Sequence, residues 1–101
     1  MCTKPHNAAV DVVITVHNME SCVGACLDSL MHQTVPPLHI IVVEDGSTDA
    51  SAAVIDTFAK NDQRFTVIST AGIGAGAARN RGMQEVSAPY FMLLDGDDVF
   101  H

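Results

Sequence analysis

Val10-Asp11-Val12-Val13-Ile14-Thr15 is a short, β-branched run, the pattern of a buried strand. Beyond it the period changes. From Ser21 to Gln33 the apolar groups fall at Val23, Cys26, Leu27, Leu30 and Met31. That is helical spacing, with Ser21 placed to cap the N-terminus. Pro36 and Pro37 forbid continuation of the helix. His39 to Val43 reads as a second strand, and Gly46 to Asp49 is turn chemistry. Ala50 to Lys60 reads as a second helix with Val54, Ile55 and Phe58 inward, and Phe65 to Ser69 as a third strand. Gly72 to Gly76 is a glycine-rich turn, and Ala77 to Val86 a third, small-sided helix able to pack close. Pro89 precedes a fourth strand, Tyr90 to Leu94.

The order is β-α-β-α-β-α-β. Strands alternating with helices predict a parallel sheet with right-handed crossovers. Continuous apolar strands are those covered on both faces. The expected fold is therefore an open, doubly wound, mostly parallel α/β sheet. The 101 residues make one domain, 1–101, with an ordered core at about 10–100. In such a sheet, ligands sit outside the carboxyl ends of the strands.

Composition narrows the partners. Apolar residues make up 48% of the chain, enough for a packed core. The formal charge is −7, and the basic residues Lys4, Lys60, Arg64, Arg79 and Arg81 form no stripe, which excludes duplex nucleic acid as a partner. No apolar run approaches the ~18 residues of a membrane span. The polar start, Met1 to Asn7, lacks a secretion signal, so a cytoplasmic location is expected. Three cysteines, Cys2, Cys22 and Cys26, argue against a disulfide framework. Cys22 and Cys26 read as small core residues, because neither His17 nor His32 completes a ligand pair of the usual close spacing.

A parallel sheet brings four loops to one edge. After the first strand come Thr15, His17, Asn18 and Glu20, and after the second Glu44, Asp45, Ser47 and Asp49. Gly72, Gly74 and Gly76 follow the third, with Arg79 and Asn80 about a turn into the next helix. Asp95, Asp97 and Asp98 follow the fourth. Carboxylates crowded in one crevice repel each other unless a cation lies between them. A hard divalent ion with oxygen ligands answers this for Asp95, Asp97 and Asp98. Asp49 fits a helix N-cap instead.

These segments carry a resemblance. Asp11 to Asn18, Val42-Val43-Glu44-Asp45-Gly46-Ser47-Thr48-Asp49, Gly74-Ala75-Gly76-Ala77-Ala78-Arg79-Asn80-Arg81-Gly82 and Leu93-Leu94-Asp95-Gly96-Asp97-Asp98, in this order and spacing, resemble the family 2 glycosyltransferases. The resemblance implies the Rossmann-like, nucleotide-sugar-binding half of a GT-A fold. It also implies sugar transfer from a nucleotide-diphosphate sugar, most simply UDP-linked, to a glycan or lipid-linked acceptor hydroxyl with inversion. Thr15, His17, Asn18 and Glu20 would frame the base. Asp45 would accept a uracil N–H, with Ser47 beside it, and Arg79 and Asn80 would line the donor pocket. Asp95-Gly96-Asp97 matches the D-x-D motif, with Asp95 toward the ribose and Asp97 and Asp98 toward Mn2+ or Mg2+. The metal would neutralise the departing diphosphate.

Two departures stand out. Thr15 and His17 occupy places that the family usually gives to proline and an aromatic residue. The family's acceptor site and catalytic base also follow the D-x-D segment, so no catalytic residue is expected within these 101 residues. The domain reads as a truncated one that binds donor with little turnover. Its fourth strand leaves an edge through which copies could associate, and the parent protein could work at the cytoplasmic membrane face.

Three other readings compete. Gly72-Ile73-Gly74-Ala75-Gly76-Ala77 with Asp95 also fits a dinucleotide fingerprint, which would make the chain part of an oxidoreductase. That fingerprint normally opens the first strand–helix unit. A phosphoacceptor signalling domain would need a lysine near the acids. A non-catalytic relic of the same fold is the third.

Overall fold

The computed structural model describes residues 10–32 and 38–95. Four strands alternate with three helices: β1 Val10–Val16, α1 Val23–Met31, β2 Leu38–Asp45, α2 Ser51–Ala59, β3 Phe65–Thr70, α3 Ala75–Met83 and β4 Tyr90–Asp95. The sheet order is β3-β2-β1-β4, and every pairing is parallel. The chain builds outward from β1 through β2 to β3, then crosses back to place β4 on the other side of β1. That reversal makes the switch point where doubly wound sheets hold ligands.

Strand period sorts the residues onto two faces. Val12, Ile14 and Val16 of β1 and Ile40 and Val42 of β2 meet Val23, Cys26, Leu27 and Leu30 of α1, Ile55 of α2 and Phe65 in a buried apolar cluster. Val54, Phe58, Met92 and Leu94 pack around it. Cys26 is part of this core, and Cys22 is half-buried. The other face of β1 and β2 is covered by α3, whose main contacts with the sheet fall on those two strands. Here Gly82 is required for close approach. A Cβ at Gly82 would stand 2.5 Å from Val13 Cγ1 and 3.0 Å from Val43 Cγ2.

Three expectations about local structure are corrected. Ser21 does not cap α1. The N-cap is Cys22, without a side-chain bond, and the Cys22 and Val23 N–H groups donate to the Met19 carbonyl. The glycine-rich turn is shorter than expected, because α3 begins at Ala75 with Gly74 as its N-cap and ends at Met83. Gly74 has φ 96°, so it is the conformational break that starts the helix, and Gly76 lies inside it. Asp49 does not occupy the N-cap of α2, which is Ala50. Its carboxylate nevertheless accepts from the Ser51 N–H of the first turn at 2.9 Å. The expected stop at Pro36-Pro37 lies outside the described residues. Among the described residues, no helix is long and apolar enough to cross a membrane.

Candidate functional site

The carboxyl edge carries a cavity of about 340 Å³, lined by Thr15, His17, Met19, Asp45, Gly72, Gly74, Ala75 and Ala78. That volume is at the small end of the range for ligand pockets. Thr15 and Asp45 stand at the ends of β1 and β2 on the face that α3 covers. Ala75 and Ala78 are three apart on the first turns of α3, so both turn toward the same side.

Asp45 is nearly buried, and its carboxylate is already in use. Oδ1 accepts from the Thr70 hydroxyl at 2.6 Å and the Ile73 N–H at 2.7 Å, and Oδ2 from the Gly74 N–H at 2.9 Å. These donors fill most of the four acceptor positions a carboxylate offers. The Thr70 hydroxyl, followed by the N–H groups of the glycine turn, holds its pKa below the ordinary value against the opposing effect of burial. Asp45 thus anchors the 72–74 turn that forms one wall of the cavity. Gly46 serves the same junction. With φ 67°, it packs so that an added Cβ would lie 2.8 Å from Gly72 N.

His17 is held by the same residue from the other side. Its Nδ1–H donates to the Asp45 carbonyl oxygen at 2.6 Å. A carbonyl can only accept, so the bond places a proton on Nδ1. The Asn18 amide nitrogen lies 3.4 Å from Nε2. The ring is thereby oriented while remaining exposed at the cavity.

The remaining motif residues tie loops together. Asn18 has φ 52°, a left-handed conformation that its short polar side chain tolerates. Its N–H donates to Ser47 Oγ at 2.9 Å, and its Oδ1 accepts from the Thr48 N–H at 2.7 Å. Ser47 N–H in turn donates to Glu44 Oε1 at 2.7 Å. Asp49 Oδ2 accepts from the Glu20 N–H at 3.2 Å, and buried Ser51 Oγ accepts from the Met19 N–H at 2.8 Å. The Ser51 hydroxyl first, then main-chain N–H groups including those of Ser51 and Glu20, keep the Asp49 pKa low.

Of the expected donor-binding residues, Thr15, His17 and Asp45 therefore line the cavity. Asn18, Ser47 and the backbone of Glu20 form its supporting clasp. Arg79 is half-buried on α3 and Asn80 is exposed, and neither lines the cavity. Asp95 closes β4 in register with Thr15, so β4 ends beside the cavity. Asp97 and Asp98 lie outside the described residues. Among the described residues, no group of three or more His, Cys, Asp or Glu is arranged to hold a metal. The sequence reading missed Met19, Ala75, Ala78 and Thr70. Small residues following a glycine turn were the available signal for the two alanines.

Residues 11–101 match the family model described as Glycosyl transferase family 2. The chain belongs to that family. It is 40% identical over 90 residues to the putative glycosyltransferase EpsH of Bacillus subtilis, covering 89% of this chain and 26% of that protein. It is 39% identical over 89 residues to the glycosyltransferase GlyA of Streptococcus pneumoniae, covering 88% of this chain and 13% of that protein. Among solved structures, S. aureus TarS 1-349 in complex with UDP-GlcNAc superposes with a TM-score of 0.80 at 26% identity, over 89% of this chain and 27% of that one. The mannosyltransferase PcManGT from Pyrobaculum calidifontis, in complex with GDP-Man and Mn2+, shares the fold with a TM-score of 0.83 at 20% identity, over 96% of this chain and 30% of that one. The chain thus spans about a quarter of EpsH and less of GlyA. Membership in this glycosyltransferase family decides against the oxidoreductase reading of the glycine turn.

Proposed function

We propose that this family 2 domain binds the nucleotide of a UDP-sugar at the cavity, and that the parent protein transfers the sugar to an acceptor hydroxyl with inversion. One observation carries the reading. The cavity opens at the switch point of the sheet, where Thr15, His17 and Asp45 converge with the start of α3 and the end of β4. The TarS complexes with UDP-GlcNAc and with UDP support a UDP-linked donor on this fold. In this reading the exposed imidazole of His17, oriented by Asp45, offers its ring face to the base. Asp45 shapes the turn against which the base rests, and any acceptor capacity left on its carboxylate meets the imide N–H.

Asp95, Asp97 and Asp98 would hold Mn2+ or Mg2+, which when bound neutralises charge on the departing diphosphate. The place of Asp95, one rung across from the cavity residue Thr15, fits that assignment. So does the Mn2+ complex of PcManGT. The reading also includes self-association through β4, an edge strand of the described sheet with Tyr90, Phe91 and Leu93 exposed. Monomeric light scattering at high concentration would count against that part.

The test is a thermal-shift panel with UDP, UDP-glucose, UDP-N-acetylglucosamine, GDP and NAD, each with manganese and with a chelator. A ligand that binds only the folded state raises the midpoint by mass action. Stabilisation by UDP compounds only in the presence of manganese is the expected outcome. Metal-independent stabilisation by NAD, or no shift with any ligand, would overturn the reading.

A further inference from the structure

The chemistry of the α3-covered face does not end at the cavity. At the opposite, amino end of the sheet, Asp11 is fully buried and His39 is 3% exposed. They are partners on one rung of the β1–β2 ladder. Asp11 Oδ2 accepts from two main-chain groups of the α3–β4 connection, Ser87 N–H at 2.7 Å and Ala88 N–H at 2.9 Å. Asp11 Oδ1 stands 3.3 Å from His39 Nδ1, and His39 Nε2 stands 2.6 Å from Thr66 Oγ1. The chain of contacts runs from the segment entering β4, through β1 and β2, to β3.

A buried carboxylate is costly unless its oxygens are well satisfied. An apolar residue would cover this face of β1 without that cost, so the local arrangement points to work for the acceptor oxygens. The work visible in the structure is capture of the chain just before β4. β4 pairs only with β1 among the described strands, and α3 packs on β1 and β2. Pro89, immediately before the strand, has no N–H with which to fix itself. Register matters because a slip of one residue would turn Met92 and Leu94 out of the core.

The geometry points to Asp11 as a positioning residue that sets where β4 starts on β1, and thereby where its last residue, Asp95, ends beside the cavity. Asp11 acts from four residues, roughly 13 Å, below Thr15 and touches no ligand itself. His39 and Thr66 buttress its carboxylate from behind. The proposal rests on the donor-site reading above.

The experiment titrates UDP calorimetrically into the full chain, with manganese and with a chelator. Asp11→Ala should lose about tenfold or more of the manganese-dependent affinity, the scale of losing hydrogen bonds to a charged group. Its metal-free affinity should stay near native. Asp11→Asn, whose side-chain oxygen still accepts the two N–H groups, should restore the manganese-dependent part. Equal losses with and without manganese, or no loss at all, would overturn the proposal. Should Asp11→Ala fail to fold, the exposed position 87 carries the test. Ser87→Pro deletes one donor and should show the same selective loss, whereas Ser87→Ala keeps the N–H and should bind like the native chain; identical binding by both variants overturns the proposal. If the native chain shows no manganese-dependent UDP binding, the donor-site reading falls, and amide hydrogen exchange then decides the positioning role. Faster exchange across residues 90–95 in Ser87→Pro than in Ser87→Ala supports it, and equal exchange overturns it.

Discussion

The two faces of this sheet are built on different terms. The face under α1 and α2 is closed mainly by apolar side chains, with Val12, Ile14, Val16, Ile40 and Val42 sealed against Val23, Leu27, Leu30 and Ile55. The face under α3 carries Asp11, Thr15, His39 and Asp45 on β1 and β2, all nearly or fully buried. Its one helix is small-sided and approaches closely at Gly82, and the outer strand β4 keeps Phe91 and Leu93 about half exposed. One face supplies cohesion, and the other trades apolar cover for polar groups and a cavity. Burial of hydrocarbon is non-directional and tolerates no cavity cheaply, whereas hydrogen-bonded groups can stand around a cavity without collapsing it.

Paired substitutions can break or sharpen that contrast. The largest effect is expected from Leu27→Ala on the sealed face, at about 2–5 kcal/mol of stability. Ligand affinity per folded molecule should not change. Gly82→Ala should cost somewhat less stability, about 1–3 kcal/mol for overpacking against Val13 and Val43. It should also weaken nucleotide binding, because lifting α3 moves Ala75 and Ala78. Denaturant melts combined with UDP titrations check both variants. If Gly82→Ala leaves affinity untouched, or Leu27→Ala reduces it, the division of labour between the faces is wrong.

Asp45→Asn should lower the melting midpoint and loosen the 72–74 turn even without ligand. The pH dependence has a definite sign. The folded pKa lies below the ordinary 3.8, so the stabilisation by the charged form is complete above that value and is lost as pH falls through the depressed one. The gap between native and variant midpoints should therefore be constant near neutrality and close below about pH 4. A gap unchanged down to pH 2 would show that the ionised carboxylate does not hold the turn. The smallest effect is expected for Asn18→Ala, about 1–2 kcal/mol from placing alanine in a left-handed conformation, with the lost clasp to Thr48 adding to it. Asn18→Gly as the partner variant separates the two contributions.

Much of this was legible in the chain itself. The β-branched runs, the helical spacing of Val23, Cys26, Leu27 and Leu30, and the alternation of strand with helix required a parallel α/β sheet, because period and burial follow directly from side-chain type. The four motifs placed the candidate site at one edge for the same topological reason. Helix starts were less legible. Ser21 and Ala77 looked like suitable beginnings locally, but α1 starts where the Met19 carbonyl receives its N–H groups and α3 where Gly74 breaks the backbone.

The division of tasks among the motif residues depended on distance. Asp45, Asn18, Ser47 and Asp49 look alike in sequence, as polar residues after strands. Only the fold separates Thr15, His17 and Asp45, which line the cavity, from Asn18, Ser47 and Asp49, which clasp loops 29 to 31 residues apart. The Asp11–His39–Thr66 chain was equally hidden, since strand period alone marks these residues only as members of one face. Sequence determined the elements and their order, because those follow from local periodicity. Which polar groups meet was decided by strand register and by the close seat of α3, which bring together atoms that the chain keeps tens of residues apart.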